Sequence, residues 1–275
     1  MLGKLFKYEF KESSKRLLPL NLILVAITLA GIILISLLLK TNSFALLSIP
    51  CLMIYVLSVF ALFVLTAAYL TVRFYRTVYA DQAYLTHTLP VSARAIINTK
   101  IITALFWTLL SVTLTILSIL FLVRAAAGKS VYYEILHTFR YILPKMFGLS
   151  SFETSCYLLS GVLFSCLDFI LMVCASLAVG QLFQKYRILA SIGAGVVFYV
   201  IKQIIGVISL LVGTVPYVSK TSVSLAELEQ TAQATASQAA IYRNAFLLDL
   251  GTTLFYCVAF YIICSYITRK RLNLE

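Results

Sequence analysis

Six apolar stretches dominate the chain: Leu17–Leu39, Phe44–Leu70, Ile101–Val123, Cys156–Leu182, Ile188–Val215 and Ala245–Ile267. About 20 helical residues rising 1.5 Å each cross the roughly 30 Å hydrocarbon layer of a bilayer, so every stretch is long enough to span it. In lipid, each backbone N–H and C=O needs a partner within its own segment or barrel, which restricts runs of this length to helices. The pattern predicts an all-α polytopic membrane protein with six spans. Only 12% of residues are charged and 61% are hydrophobic, well away from a soluble composition. The longest connectors, of about 30 residues, are too short for an independently folded domain. Residues 1–275 therefore read as one transmembrane domain.

Lys and Arg near span ends stay on the cytoplasmic side. One side collects Lys4, Lys7, Lys11, Lys15, Arg16, Arg73, Arg76, Arg94, Lys100, Lys185, Arg187, Arg269, Lys270 and Arg271. The other holds half as many: Lys40, Arg124, Lys129, Arg140, Lys145, Lys220 and Arg243. Both termini are expected in the cytoplasm of a bacterium, beneath its cytoplasmic membrane. The net charge of +12 expresses this asymmetry and attraction to anionic lipid, and calls for no nucleic-acid partner.

The connectors carry structure of their own. Leu2, Leu5, Phe6 and Phe10 recur among lysines at near-helical spacing, which predicts an amphipathic N-terminal helix lying in the membrane interface, with Pro19 opening the first span. The cytoplasmic loop 71–99 holds a short helix, Asp81–Leu89, ended by Pro90, with Ser92 capping the helix that leads into the third span. Outside, Ser130–Leu143 reads as an interfacial helix ended by Pro144, its Tyr132, Tyr133 and Tyr141 forming an aromatic belt. A capping box, Ser224 to Glu227, starts a largely polar helix over about Leu225–Tyr242.

Two charges sit deep in the spans. Asp168 lies about twelve residues inside the fourth span and Lys202 near the middle of the fifth. Either one costs roughly 2.5–3.5 kcal/mol at a helix centre, so neither is expected to face lipid alone. Helical spacing puts Gly161, Ser165, Met172, Ala175 and Ser176 beside Asp168, and Gly195, Tyr199, Gly206, Ser209 and Gly213 beside Lys202. These are stripes of the kind that meet other helices. The two charges are expected to pair or to line a polar path; Asp249, near the outer end of the sixth span, is expected to reach interfacial water.

Recognisable reaction chemistry is missing from the pattern. The six cysteines (Cys51, Cys156, Cys166, Cys174, Cys257, Cys264) fall in the spans without metal-ligand spacing and read as small hydrophobes. His87 and His137 lie on opposite sides, so no metal site is expected. Arg124–Ser130 reads RAAAGKS, but Val123 stands where a phosphate loop needs its first glycine. Ala26 and Ala30 make a small-residue pair of the sort common by chance in apolar helices. No catalytic residue and no bound cofactor is expected.

Two segments resemble the permease subunits of ABC-2 type transporters, the membrane half of bacterial ABC exporters. One is the opening MLGKLFKYEFK; the other is Ala80–Arg94, ADQAYLTHTLPVSAR, which is similar to that family's acidic-x-x-Tyr-Leu-Thr-x-x-Leu-Pro-Val-Ser segment after the second span. Relatives often carry an acidic residue where Gln82 stands here, which leaves any such contact to Asp81 or to packing. The resemblance implies a permease dimer, homo- or heterodimeric, clasped by separate cytosolic ATPase subunits that bind ATP and Mg. It also implies that loop 71–99 is the coupling element, with Asp81, Gln82, Tyr84, Leu85, Leu89 and Pro90 at the ATPase. An apolar pore lining points to a hydrophobic or amphipathic cargo such as a peptide antibiotic, drug or lipid. Two rival readings are the substrate-binding component of an energy-coupled vitamin importer, and a membrane-embedded enzyme or assembly factor using Asp168 as an acid-base group.

Overall fold

The computed structural model describes residues 2–40, 44–79, 93–126, 128–183, 186–221 and 230–270. The elements are α1 (Leu2–Lys40), α2 (Phe44–Val78), α3 (Ala93–Ala126), α4 (Gly128–His137), a π-helical turn (Thr138–Ile142), α5 (Leu143–Phe147), α6 (Ser151–Gly180), α7 (Arg187–Thr221) and α8 (Gln230–Lys270). Among the described residues there is no strand. Six helices contain stretches long and apolar enough to cross a membrane: Leu5–Leu37, Met53–Val78, Ala95–Ala126, Ser151–Gly180, Arg187–Ser209 and Ala239–Thr268. The protein is an all-α, multi-pass membrane protein.

Helices outrun the apolar stretches because their polar flanks are helical too. The 39 residues of α1 make a rod of about 58 Å, nearly twice the hydrocarbon thickness. The N-terminal segment is thus continuous with the first span, and Pro19 lies inside the helix instead of at its start. It withholds one N–H from the carbonyl of Lys15, a loss the rest of so long a rod tolerates. Likewise Pro144 does not end the helix before it: a π turn intervenes, and Pro144 sits in the first turn of α5, where no N–H is needed. The residues before Tyr242 belong to α8 and run unbroken into the sixth span. The expected helix Asp81–Leu89, with His87, Pro90 and Ser92, and the capping box Ser224–Glu227 lie outside the described residues.

The chain divides into two compact units, residues 1–135 with 273–275, and residues 136–272. In the first, α1 and α3 run parallel at a fixed offset. Lys100 reaches Glu9, Ser111 bonds Asn21, Ser118 bonds Thr28 and Leu122 lies against Gly31, each pair separated by 90 or 91 residues. Leu17, Asn21, Leu24 and Thr28 follow the 4-3-4 spacing of a coiled-coil seam and are all buried. The opposing stripe holds Ala104, Trp107, Ser111 and Ser118. Small and hydroxylic residues let two helices approach closely where lipid supplies no hydrophobic drive. Gly31 is the small residue that counts, since its Cβ would come within 3.3 Å of Leu122, whereas Ala26 and Ala30 are exposed. Phe10, expected on the apolar face of an interfacial helix, stacks on Trp107 at 5.4 Å and meets Phe106 edge-on at 5.0 Å. The α2 helix runs antiparallel beside them and joins Tyr55 to Ser118 at 2.7 Å.

In the second unit α6 is the central and most buried helix, with α8 parallel and α7 antiparallel to it. Its start is a capping box that the sequence reading passed over: the Ser150 hydroxyl accepts from the Glu153 N–H, and the Glu153 carboxylate accepts from the Ser150 N–H. Just before it, Gly148 closes α5 in the left-handed region at φ 63°, against Ala239 of α8. At the far end α6 and α7 meet so tightly that a Cβ on Gly180 would fall 1.8 Å from Ser191 Oγ and 2.7 Å from the Arg187 carbonyl. Three of the cysteines, Cys174, Cys257 and Cys264, are buried as expected of small hydrophobes, while Cys156 is exposed.

Candidate functional sites

Two ionic centres stand out, one in each unit. In the second unit Asp168 of α6 and Lys202 of α7 meet, the ammonium donating to Asp168 Oδ2. Antiparallel packing brings them together: Gly180 lies on Ser191, a Cβ on Gly195 would stand 3.6 Å from Ser176, and two turns on Lys202 falls beside Asp168. The buried stripe of α6 is Asp168, Leu171, Ala175 and Ala178, with Gly161 against Phe246; Ser165, expected on this face, is exposed. On α7, Tyr199 is exposed and Gly206 has open space where its side chain would be. Asp249 is exposed.

The third member is one that the sequence reading missed. Tyr256 of α8 lies with its ring centroid 5.6 Å from Lys202 Nζ, stacks on Phe260 at 6.1 Å, and Phe260 in turn meets Phe198 of α7 at 5.1 Å. A cation over an aromatic face gains attraction from the ring quadrupole, more so away from water. Asp168 is only 4% exposed, and among the described residues its Oδ1 has no hydrogen-bond partner. The buried Tyr256 hydroxyl finds none among them either. Nothing local in the sequence marks Tyr256 among 17 tyrosines; only its place in α8, parallel to α6, selects it.

The other centre, in the first unit, is also one the sequence reading missed: Arg73 and Lys100 enter it only as cytoplasmic-side charges, and Glu9 not at all. Glu9 of α1 accepts from Arg73 Nε of α2 at 2.9 Å and from Lys100 Nζ of α3 at 3.1 Å. Arg73 further donates to the Tyr69 hydroxyl at 2.8 Å and lies 3.4 Å from Glu12, while Arg16 stands 5.8 Å over the Tyr69 ring. Arg73 and Lys100 are each about nine-tenths buried. One carboxylate thereby ties the ends of three helices together. Both cations are spaced to do this: Arg73 comes three residues after the second apolar stretch, and Lys100 immediately precedes the third.

Of the residues expected to form an ATPase-coupling surface, Asp81, Gln82, Tyr84, Leu85, Leu89 and Pro90 all lie outside the described residues. Their flanks, Tyr79 and Ala93, are the last residue described after α2 and the first of α3, the two helices that Glu9 ties. Among the described residues no three His, Cys, Asp or Glu side chains group as metal ligands. His137 packs its ring on Tyr141 at 4.8 Å. No family model, curated protein or solved structure matches the chain.

Proposed function

We propose that the chain is the transmembrane subunit of an ATP-driven exporter of the ABC-2 type. In this reading it sits in a bacterial cytoplasmic membrane with both termini inside and forms the translocation path as a dimer. Separate cytosolic subunits, binding ATP and Mg, do the hydrolysis; the chain itself is not an enzyme. Cargo is hydrophobic or amphipathic.

The observation that supports this most is the Glu9 cluster. Force delivered to residues 80–92 enters the membrane through α2 and α3, and a lever works only if its mounting is stiff. Glu9 bonds the residue six before Tyr79 and the residue seven after Ala93, joining both mounts to α1. The parallel seam of α1 and α3 then carries any displacement along the length of the span, because a packed interface moves as a body.

A tagged chain purified with the ATP-binding subunit encoded beside it tests the division of labour. Association, ATP hydrolysis only in the presence of that subunit, and cross-linking from Leu85→Cys to it are expected. Hydrolysis by the washed chain alone, or accessibility mapping that places residues 80–92 outside the cell, overturns the reading.

A further inference from the structure

We propose that Asp168 and Tyr256 form a binding site for the primary ammonium head of an amphiphile, and that Lys202 is a tethered occupant which such a ligand displaces. As a statement about cargo this rests on the exporter reading. As a statement about binding it stands on the second unit alone.

Recognition of an ammonium calls for anionic oxygen and an electron-rich ring face, out of competition with water. The site has both. Among the described residues, the carboxylate of Asp168 is engaged only at Oδ2, its buried Oδ1 meets no donor, and the buried Tyr256 oxygen meets no partner. The Tyr256 ring already lies within cation–π range of Lys202 Nζ and is backed by Phe260. An ion pair serving only to dock two helices leaves a donorless carboxylate oxygen at an energetic loss. A free amine, not held by a helix backbone, can turn its N–H groups toward the idle carboxylate oxygen, which the tethered Lys202 leaves unused.

Lys202 indicates the kind of ligand. Its side chain is four methylenes ending in an ammonium, the same chemistry as an alkylamine, and it enters from the accessible side: 26% of it is exposed against 5% for Asp168. One turn on along the same face, Gly206 leaves open space, and Tyr199 and Ile205, which flank Lys202 on that face, are exposed to receive an alkyl tail. Acidic amphiphiles are repelled by Asp168, and neutral ones gain nothing from the ring.

The test is equilibrium binding of radiolabelled n-decylamine to the purified full-length chain in lipid nanodiscs, with decanol and decanoate as competitors. Saturable binding is expected, displaced by unlabelled decylamine and by neither competitor. Asp168→Asn should weaken it at least tenfold, and Lys202→Met should tighten it at least tenfold by removing the tethered rival. No saturable binding, equal competition by decanol, or unchanged affinity in Lys202→Met overturns the proposal. If Lys202→Met folds only when decylamine is present throughout purification, and not with decanol, the proposal is supported; failure to fold under either condition overturns it. Because no ATPase takes part, loss of amine binding leaves the exporter reading intact, and failure of ATPase association leaves the binding result readable.

Discussion

Each unit contains three long helices that, in chain order, run with the first and third parallel and the second reversed, yet they place their charges at opposite extremes. The first keeps its span interior to hydroxyls and amides, Asn21 with Ser111 and Thr28 with Ser118, and holds its ions at one end, where Glu9 faces Arg73 and Lys100. The second places a single ion pair midway along the span. An ion at a helix end retains access to interfacial water, so its loss is softened; an ion at mid-span has no such recourse. The first arrangement suits a stiff frame and the second a site whose occupant can change.

The largest expected effect breaks the mid-span pair on one side only. Lys202→Met strands a buried carboxylate and should destabilise the protein by about 3–5 kcal/mol, whereas Lys202→Met combined with Asp168→Asn should be near neutral. Thermal unfolding followed by circular dichroism reads the difference, and equal losses in the two variants would remove the distinction drawn between the units. Next comes Gly180→Ala. Its Cβ would overlap Ser191 Oγ and the Arg187 carbonyl, so about 1–3 kcal/mol is expected, with Ser191→Ala restoring only part because the carbonyl contact at 2.7 Å remains.

At the end of the first unit, Glu9→Gln exchanges two charge-assisted bonds for weaker ones. A loss of about 1.5 kcal/mol is expected, smaller than that of Lys202→Met; a larger one would place Glu9 in a drier setting than its geometry implies. Smallest of all, Ser118→Ala removes bonds to Thr28 and Tyr55 but should cost only about 0.6 kcal/mol, the usual scale of an interhelical hydrogen bond in lipid.

The spans were legible because backbone satisfaction in lipid leaves little choice, and each apolar stretch lies within or largely overlaps a long helix. The meeting of Asp168 with Lys202 was legible as an alternative for a similar reason: two costly charges at like depth on consecutive helices have few other places to go. Glu9, Arg73 and Lys100 escaped notice because each lies outside an apolar stretch, where a charge ordinarily needs no partner. Only the helical continuity of Leu2–Lys40 puts Glu9 within reach of both cations. Pro19 and Pro144 misled for a shared reason, since a proline marks a local preference and a long helix with neighbours to pack on overrides it.

The one tryptophan of the chain is Trp107, fully buried in the seam of α1 and α3, stacked on Phe10, its indole N–H without a hydrogen-bond partner. Selective excitation therefore illuminates a single half of the molecule. A blue-shifted native emission should report loosening of that half while staying silent about events near Asp168, giving spectroscopists a built-in optical gauge that needs no label.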